Sequence, residues 1–354
     1  MKLFQKHLLK AFLFGGVPVL VLLLALFGFL LLAEALEDVG QGAYRTTDAL
    51  LVTALQLPAL MVELLPVAVL MGGLLGLGAL ANHQELIALR AAGLSSLAIA
   101  GPVVLLLLGA IAAIVLLQFY AIPNAERSAI TVAARALDQA QVSNEGAFWT
   151  RGDNQFLRVN RLANGRTPED IEIFALSEAG QLETIVRAER ASTVGIDEWI
   201  MQDVVITTLG AEDAQEQTQR EYRWKSFVDE KALATLILPA TALTPLALWN
   251  YVRELESAQL SSLQYRVMLW QQISRPIGVL AMGLLALGFV QGSMRSLSIG
   301  TRLLIGTVIG IAFYLLEQSS SHLAVLYELN PVVTALLPEC VLLMLALTAL
   351  VRSR

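Results

Sequence analysis

Long apolar runs alternate with short polar connections along most of the chain, and one polar stretch of domain size interrupts them. An α-helix that crosses a bilayer needs about 20 mostly apolar residues. Six runs reach that length, alone or with the adjoining helix: residues 11–33, 63–81, 97–121, 274–290, 301–316 and 331–351. The pattern therefore predicts six transmembrane helices, with both termini on the same side of the membrane.

The interrupting stretch alternates in hydrophobicity with a period of two residues, which is typical of half-buried β-strands. Leu157 and Val159 fall on one face of such a strand, and Ile171 and Ile173 on one face of the next. Turn-forming residues separate these segments. Five to eight antiparallel strands in about 90 residues favour a sandwich or a jelly roll. An Ala-rich helical stalk over residues 123–141 precedes them.

These patterns predict an α-helical membrane protein with six transmembrane helices and an inserted all-β, jelly-roll-like domain. Residues 1–121 hold the first three membrane helices, and residues 122–232 hold the stalk and the β domain. Residues 233–354 hold surface helices followed by the last three membrane helices.

Composition and charge fit a membrane protein and indicate its orientation. Mean hydropathy is +0.64 and 56% of the residues are apolar, which is too apolar for a water-soluble chain. With a cytoplasmic N-terminus, the cytoplasmic loops hold many basic residues against one acid, Glu85, as the positive-inside rule requires. The basic residues are Lys2, Lys6, Lys10, Arg90, Arg295, Arg302, Arg352 and Arg354. The insert then lies outside the cytoplasm, with 19 acids against 12 bases.

The chain lacks the residue patterns of common catalytic and metal-binding sites. Its three histidines are far apart in sequence, and its single cysteine, Cys340, lies in the last apolar run. Neither a metal site nor an intrachain disulfide is therefore predicted. None of the five lysines follows a glycine-rich phosphate-binding loop, so this chain is not expected to bind ATP itself. We expect no catalytic residues, no cofactor held by this chain and no nucleic-acid partner.

A short segment between the second and third runs, residues 82–93, has well-defined helix boundaries. Asn82 and Glu85 have the spacing of a capping box, and Gly93 suits the position just after a last helical turn. Two interpretations of Glu85 follow. In the first it only caps the helix. In the second the segment is a coupling helix in a groove of a cytoplasmic motor, where Glu85 meets a basic residue of that motor.

Several sequence blocks are similar, in order and spacing, to those of a known family. They lie at residues 40–44, 64–80, 85–93, 146–154, 248–252, 294–296, 313–318 and 335–338. On these blocks the chain resembles the LptF/LptG permeases of lipopolysaccharide export over nearly its whole length, and the LptG branch more closely. The resemblance implies a non-catalytic permease subunit of an ABC-type exporter in the inner membrane of Gram-negative bacteria. Its termini are then cytoplasmic and its β domain periplasmic.

The resemblance also implies the partners. An LptF-like permease pairs with this chain, an LptB-like ATPase dimer binds ATP and Mg, an LptC-like single-span protein joins them, and an LptA-like periplasmic bridge accepts the lipopolysaccharide. The ATPase binds the helices that correspond to residues 82–93, which makes Glu85, Leu86, Leu89 and Arg90 the expected coupling residues. The lipopolysaccharide leaves the surrounding membrane lipids through lateral gates between the first and fifth spans of opposite partners.

The outer end of the first span departs from the family pattern. Relatives often place basic residues there, whereas here Glu34, Glu37 and Asp38 precede Arg45. One interpretation is that the acids mark a helix end in water. The other is that lipid phosphates are contacted elsewhere on the path, or that divalent cations bridge them to the acids.

For that second interpretation the candidate lipid-contacting residues are Arg45, Arg127 and Arg135, with Glu34 beside them. Glu317 and Gln318, at the outer end of the fifth span, are candidates for lining the gate.

Two other classes of function remain open from the sequence. A membrane-anchored periplasmic lipid-binding receptor or scaffold would use the spans only as a tether, and six spans with a shaped cytoplasmic helix exceed that need. An intramembrane lipid-modifying transferase would need acids or histidines clustered around one cavity, and the sequence shows no such cluster.

Overall fold

The computed structural model describes residues 3–91, 93–94, 96–137, 148–151, 154–163, 167–177, 181–194, 198–209, 214–225, 240–257, 261–292 and 297–352. The helices within these ranges are α1 (Leu3–Glu37), α2 (Thr46–Asn82), α3 (Glu85–Ala91), α4 (Ser96–Leu116), α5 (Ile122–Ala136), α6 (Pro245–Ser257), α7 (Leu263–Gln291), α8 (Ile299–Leu326) and α9 (Pro331–Arg352). A π-helical turn, Leu117–Ala121, joins α4 to α5, and a 3₁₀ turn, Ala240–Ala242, precedes α6.

Six of the described helical segments are long and apolar enough to cross a membrane, which confirms the predicted number of spans. They are α1, α2, the continuous α4–α5 segment, α7, α8 and α9. Helix α2 has 37 residues, about 55 Å at 1.5 Å per residue, and so exceeds the roughly 30 Å of the hydrocarbon core. The α4–α5 continuity places the predicted stalk on the end of the third span.

Glycines allow the first two helices to come into backbone contact. A Cβ atom added at Gly15 of α1 would overlap the carbonyl oxygen of Gly72 and come within 2.6 Å of the Gly76 amide nitrogen of α2. In a membrane, where lipid supplies no hydrophobic drive between helices, such close approach is a main source of association. The Gly72/Gly76 pair therefore packs within the chain.

Glycines also allow the fifth span to pack closely on the second. A Cβ at Gly306 of α8 would lie 2.9 Å from Leu74 of α2, and one at Gly310 would lie 2.7 Å from Val67. Gly288 of α7 likewise faces α9, with Ala349 at 3.0 Å. Side chains of neighbouring helices of the same chain therefore occupy the space beside these glycines.

The inserted domain is one antiparallel sheet of six described strands, in the order β1-β2-β3-β4-β5-β6. The strands are β1 (Phe148–Arg151), β2 (Gln155–Ala163), β3 (Thr167–Leu176), β4 (Leu182–Val194), β5 (Glu198–Leu209) and β6 (Ala214–Lys225). Each strand pairs with its sequence neighbours, which is the topology of a meander. The predicted insertion of an antiparallel β domain between membrane helices is confirmed.

The sheet is rolled. Three strands separate β2 from β6, so in a flat sheet they would lie about 19 Å apart at roughly 4.8 Å per strand. Instead, the indole nitrogen of Trp224 on β6 donates a 3.0 Å hydrogen bond to Oε1 of Gln155 on β2. Trp199 of β5 packs edge-on against Trp224, with ring centroids 5.6 Å apart. The roll encloses an apolar interior that includes Leu157 and Ile171, both fully buried.

A crease crosses the sheet without breaking this interior. Asp170 of β3 and Asp203 of β5 both have φ of 53°, a left-handed conformation that aspartate tolerates better than most residues. The register places Glu189 of β4 between them. Along β4 the buried positions change at this point from Ala188 to Ala191, a spacing of three rather than two. The inward face therefore stays apolar on both sides of the crease.

The chain forms two compact units. The helical unit comprises residues 1–33, 56–122 and 263–354, and the sheet unit comprises residues 34–55 and 123–262. The sheet unit thus includes the α1–α2 connection and α6 as well as the six strands.

Candidate functional site

The predicted short helix between the second and third spans is present, but it begins at Glu85 and not at Asn82. Asn82 is the last residue of α2, and α3 begins at Glu85 after a turn in which Gln84 has φ of 61°. The predicted capping box of Asn82 and Glu85 is therefore wrong. The reason is that the Asn82 carboxamide oxygen accepts a 2.7 Å hydrogen bond from Nη2 of Arg302.

The Glu85 side chain connects α3 to the first span. Its Oε2 atom lies 2.6 Å from Nε2 of His7 on α1. The side chains are 43% and 57% exposed, respectively, and an ion pair this open to solvent contributes about 0–1 kcal/mol. Glu85 is thus held weakly and stays accessible to another protein.

The C-terminus of α3 matches its prediction. Gly93 has φ of +86°, and the Leu94 amide donates to the Leu89 carbonyl oxygen at 3.2 Å. This six-to-one hydrogen bond is that of a Schellman motif. Leu89 is half-buried and packs against the apolar core of the helical unit, so it anchors α3 to its own chain. The side chains of Leu86 and Arg90 lie outside the described residues.

Arg302 is a site residue that the sequence interpretation missed, because it was assigned to the cytoplasmic surface. It is only 1% exposed. Its side chain crosses Gly78 of α2, where a Cβ atom would overlap Nη1 and lie 3.2 Å from Cζ. Arg302 lies four residues before Gly306 and eight before Gly310, so it falls on the face of α8 that packs against α2. This spacing was the signal in the sequence that Arg302 could be buried. The contact fixes the start of α8 beside the α2–α3 corner.

Charged side chains also meet inside the helical unit. Arg275 of α7 and Glu317 of α8 approach to 4.0 Å, with both side chains mostly buried. Glu339 of α9 is 1% exposed and lies beside Gly278 of α7. Sequence reasoning passed over Glu339, although an acid within an apolar run is a functional candidate by default. Glu317 therefore lies among other charged groups of the unit.

Gln318, the other gate candidate, is exposed. Its amide nitrogen lies 3.4 Å from Nε2 of His322, one turn further along α8.

The α1–α2 connection brings two of the candidate arginines into one region. The Ala43 amide donates to the Ala136 carbonyl oxygen at the end of α5, at 2.6 Å. Arg45 follows Ala43 by two residues, and Arg135 adjoins Ala136. Their backbones are therefore neighbours at this junction. Arg127 lies about two turns earlier on α5.

The charged candidates of this region face solvent. Arg45, Arg127, Arg135 and Glu34 are all exposed. Tyr44, which directly precedes Arg45, is buried. Its burial, together with the nearby Asp38 and Asp48 carboxylates, raises the pKa of its hydroxyl. Sequence reasoning missed Tyr44, although an aromatic residue in a short polar turn is a usable signal.

The described strands of the sheet offer two edges. Its interior is filled by its own side chains, as the burial of Leu157, Ile171 and Met201 shows. Within the described residues β1 and β6 are each paired on one side only. Such edges are templates for further strand pairing.

Comparison with known proteins identifies the family. The model of the family described as "Lipopolysaccharide export system permease LptF/LptG" matches residues 6–352. The chain belongs to the LptF/LptG family.

Two members of this family have been compared with the chain over nearly their full lengths. "Lipopolysaccharide export system permease protein LptG" of Escherichia coli is 28% identical over 340 residues, covering 94% of each chain. The protein of the same name from Haemophilus influenzae is 26% identical over 353 residues, covering 99% of this chain and 98% of its own. The six-span, single-insert architecture is thus that of an LptF/LptG permease subunit, and the chain is a multi-pass membrane protein.

The family assignment does not depend on one motif. Among the described residues no group of three or more His, Cys, Asp or Glu side chains is placed to hold a metal ion. The features that remain for an LptF/LptG protein to use are α3, the charged contacts inside the helical unit, the junction at Tyr44 and the edges of the sheet.

Proposed function

We propose that this protein is the permease subunit of an ATP-driven exporter that extracts lipopolysaccharide from the outer leaflet of the inner membrane. The single observation that carries the proposal is the family match from residue 6 to residue 352. The six spans and the rolled sheet support it. In this assembly the termini are cytoplasmic and the sheet unit is periplasmic, as the basic residues at the predicted cytoplasmic loops favour.

The energetics require a motor. Each methylene group that leaves an apolar environment costs about 0.8 kcal/mol, so moving a multi-acyl lipid out of the bilayer costs tens of kcal/mol before new contacts offset it. This chain has no phosphate-binding loop. A separate LptB-like ATPase dimer therefore binds ATP and Mg and hydrolyses the nucleotide, while an LptF-like permease completes the membrane cavity.

Helix α3 receives the movement of the ATPase. Its Glu85 contacts His7 on α1, and Asn82, the last residue of α2, accepts a hydrogen bond from Arg302 on α8. Displacement of α3 therefore acts on the first span through Glu85 and on the fifth span through the end of α2. These are the spans that form the lateral gates in the proposed mechanism, with Glu317 and Gln318 on α8 near the outer end of the gate.

The lipid phosphates pass the junction near Tyr44. Arg45, Arg127 and Arg135 are exposed there, and guanidinium groups bind phosphate oxygens in a bidentate manner. The lipid then moves to the sheet, whose edges continue into an LptC-like protein and an LptA-like bridge by strand pairing.

The coupling role is tested with Glu85→Ala in the co-purified complex. We expect export to fall with the permease partner present and with ATPase association weakened or its hydrolysis uncoupled from export. Glu183→Ala, an exposed acid on the sheet, is the matched control and should export normally. If Glu85→Ala exports normally, α3 has only a structural role. A complex that contains no ATPase at all would instead favour a membrane-anchored lipid-binding receptor or scaffold.

The phosphate path is tested separately by charge reversal. Arg127→Glu with Arg135→Glu should lower lipopolysaccharide export while ATPase association is unchanged. Glu189→Lys, on the exposed side of the crease, controls for a general change of charge. Normal export in the double variant would remove these two residues from the path.

A further inference from the structure

An apolar crevice runs along α1 between α2 and α4. Its larger part is a cavity of about 470 Å³ with an apolar lining that includes Leu9, Phe12, Leu20, Val69, Leu105 and Ala110. A second cavity of about 360 Å³ adjoins it, because both are lined by Leu9 and Leu105. The second cavity reaches Gln5 near the start of α1. The two form one crevice that opens toward the N-terminal end of α1.

Three glycines in the crevice wall show that the space is open. A Cβ atom added at Gly16, Gly101 or Gly109 would meet no heavy atom within 4 Å. Gly15 and the backbone of Gly16 contact α2, whereas the Cβ position of Gly16 faces away from that contact into the open space. The crevice is therefore not a seam between packed helices.

The length and the lining of the crevice suit an acyl chain. From Leu9 to Leu20 the wall rises about 16 Å, close to half of the roughly 30 Å hydrocarbon core. The lining side chains are apolar, so a methylene chain that lies along them makes carbon contacts at about 4 Å. An acyl chain from one leaflet therefore matches the crevice in length and in chemistry.

The mouth of the crevice is cationic. Lys6 and Lys10 are exposed on α1 beside Gln5 and Leu9, and the first acid along α1 is Glu34, several turns away. Glu85 of α3 reaches this end of α1, and its carboxylate contacts His7. Basic residues at this level of a membrane helix attract anionic headgroups.

We propose that the crevice holds one acyl chain of an anionic phospholipid from the cytoplasmic leaflet, with Lys6 and Lys10 at its phosphate. The choice of leaflet rests on the proposed function, which puts the N-terminus in the cytoplasm. The site is separate from the export path, because it lies at the opposite end of α1 from Glu34. The phospholipid is a resident of the protein and not its cargo.

The acyl-chain part of the site is tested by filling it. Gly16→Leu and Gly109→Leu place apolar bulk in open space, and Ala33→Leu adds the same bulk on an exposed part of α1 about 20 Å beyond Leu20. The complex is purified in detergent with added phosphatidylglycerol, and retained phospholipid is counted by native mass spectrometry. Retention should fall at least about fivefold in both glycine variants, since a leucine replaces several buried methylene groups, and should be unchanged in Ala33→Leu. Equal retention in all variants overturns the proposal.

The headgroup part is tested by cross-linking, with the complex in vesicles that contain phosphatidylglycerol bearing a diazirine on its acyl chain. Labelled peptides should come from residues 4–20 and 94–110 and should decrease roughly tenfold in the Lys6→Glu, Lys10→Glu variant. Equal labelling from phosphatidylethanolamine, or displacement of the label by lipopolysaccharide, would contradict an anionic resident phospholipid. Neither readout depends on ATP hydrolysis or export, so the failure of this site leaves the proposed function standing, and the reverse also holds.

Discussion

The helical unit and the sheet unit place their apolar side chains in opposite ways. In the helical unit Phe14 is 86% exposed and Leu22 is 68% exposed, whereas Arg302 and Glu339 are 1% exposed. Among the described side chains of the strands the most exposed large apolar one is Leu182, at 39%, and Trp199 and Trp224 face inward. The difference follows from the solvent, because lipid accepts exposed leucine and water does not. The helical unit therefore buries polar groups that lipid cannot solvate, and the sheet unit buries apolar groups that water solvates poorly.

In the sheet unit, stability comes from buried apolar surface, so loss of Trp199 should have the largest effect. Trp199 is 1% exposed and packs on Trp224. We expect Trp199→Ala to lower the stability of the sheet by about 3–5 kcal/mol, measured in the full chain by hydrogen exchange of residues 198–225. Trp249→Ala, at a partly exposed tryptophan that stacks with Arg253, should cost about 1 kcal/mol or less. Equal losses would mean that Trp199 is not part of the sheet interior.

In the helical unit, stability depends instead on close approach around small residues and buried polar groups. Gly78→Ala places a methyl group against the Arg302 guanidinium. We expect a loss of about 1–3 kcal/mol from overpacking, measured as thermal stability in detergent, together with weaker coupling of ATP hydrolysis to export. Gly300→Ala, where the added atom lies 4.0 Å from the Ser298 hydroxyl oxygen, is the matched control. If the two variants behave alike, the packing of Arg302 does not depend on the absence of a side chain at Gly78.

The contrast also explains how much the sequence could predict. Long apolar runs indicate helices surrounded by lipid, and period-two alternation indicates strands with one face in water. The six spans and the inserted antiparallel sheet could therefore be predicted from these patterns. The end of α3 at Gly93 was predictable for a similar local reason, since it needs only a positive φ.

Long-range polar contacts were not predictable in this way. Asn82 has the spacing of a cap, yet its partner is Arg302, 220 residues away. His7 and Glu85 are 78 residues apart and carry no shared motif. The rolling of the sheet likewise depends on Trp224 reaching Gln155 across three strands. Sequence periodicity describes the face of an element but not the element that covers that face.

The roll of the sheet can be weakened without emptying its interior. Trp224→Phe keeps most of the apolar ring but removes the hydrogen bond to Gln155. We expect a loss of about 1 kcal/mol, seen as faster hydrogen exchange in β2 as well as β6, since the two strands are joined by this bond. Trp249→Phe is the control. A change confined to β6 would show that the closure between β2 and β6 does not depend on this bond.

The smallest expected effect lies at the α1–α2 connection, which belongs to the sheet unit. Burial, with the Asp38 and Asp48 carboxylates, raises the pKa of Tyr44 above its usual value of about 10. A raised pKa means that the neutral hydroxyl is favoured in the folded protein, so its contribution is fully present below about pH 10. That contribution is lost as pH rises through the folded pKa. The phenolate absorbance of the wild type, minus that of Tyr44→Phe, should therefore titrate above pH 10. In Asp38→Asn the midpoint should shift downward, because one of the two carboxylates is gone. Titration of Tyr44 at the ordinary value in both proteins would place its hydroxyl in water, and the junction near Arg45 and Arg135 would then lack the buried anchor described here.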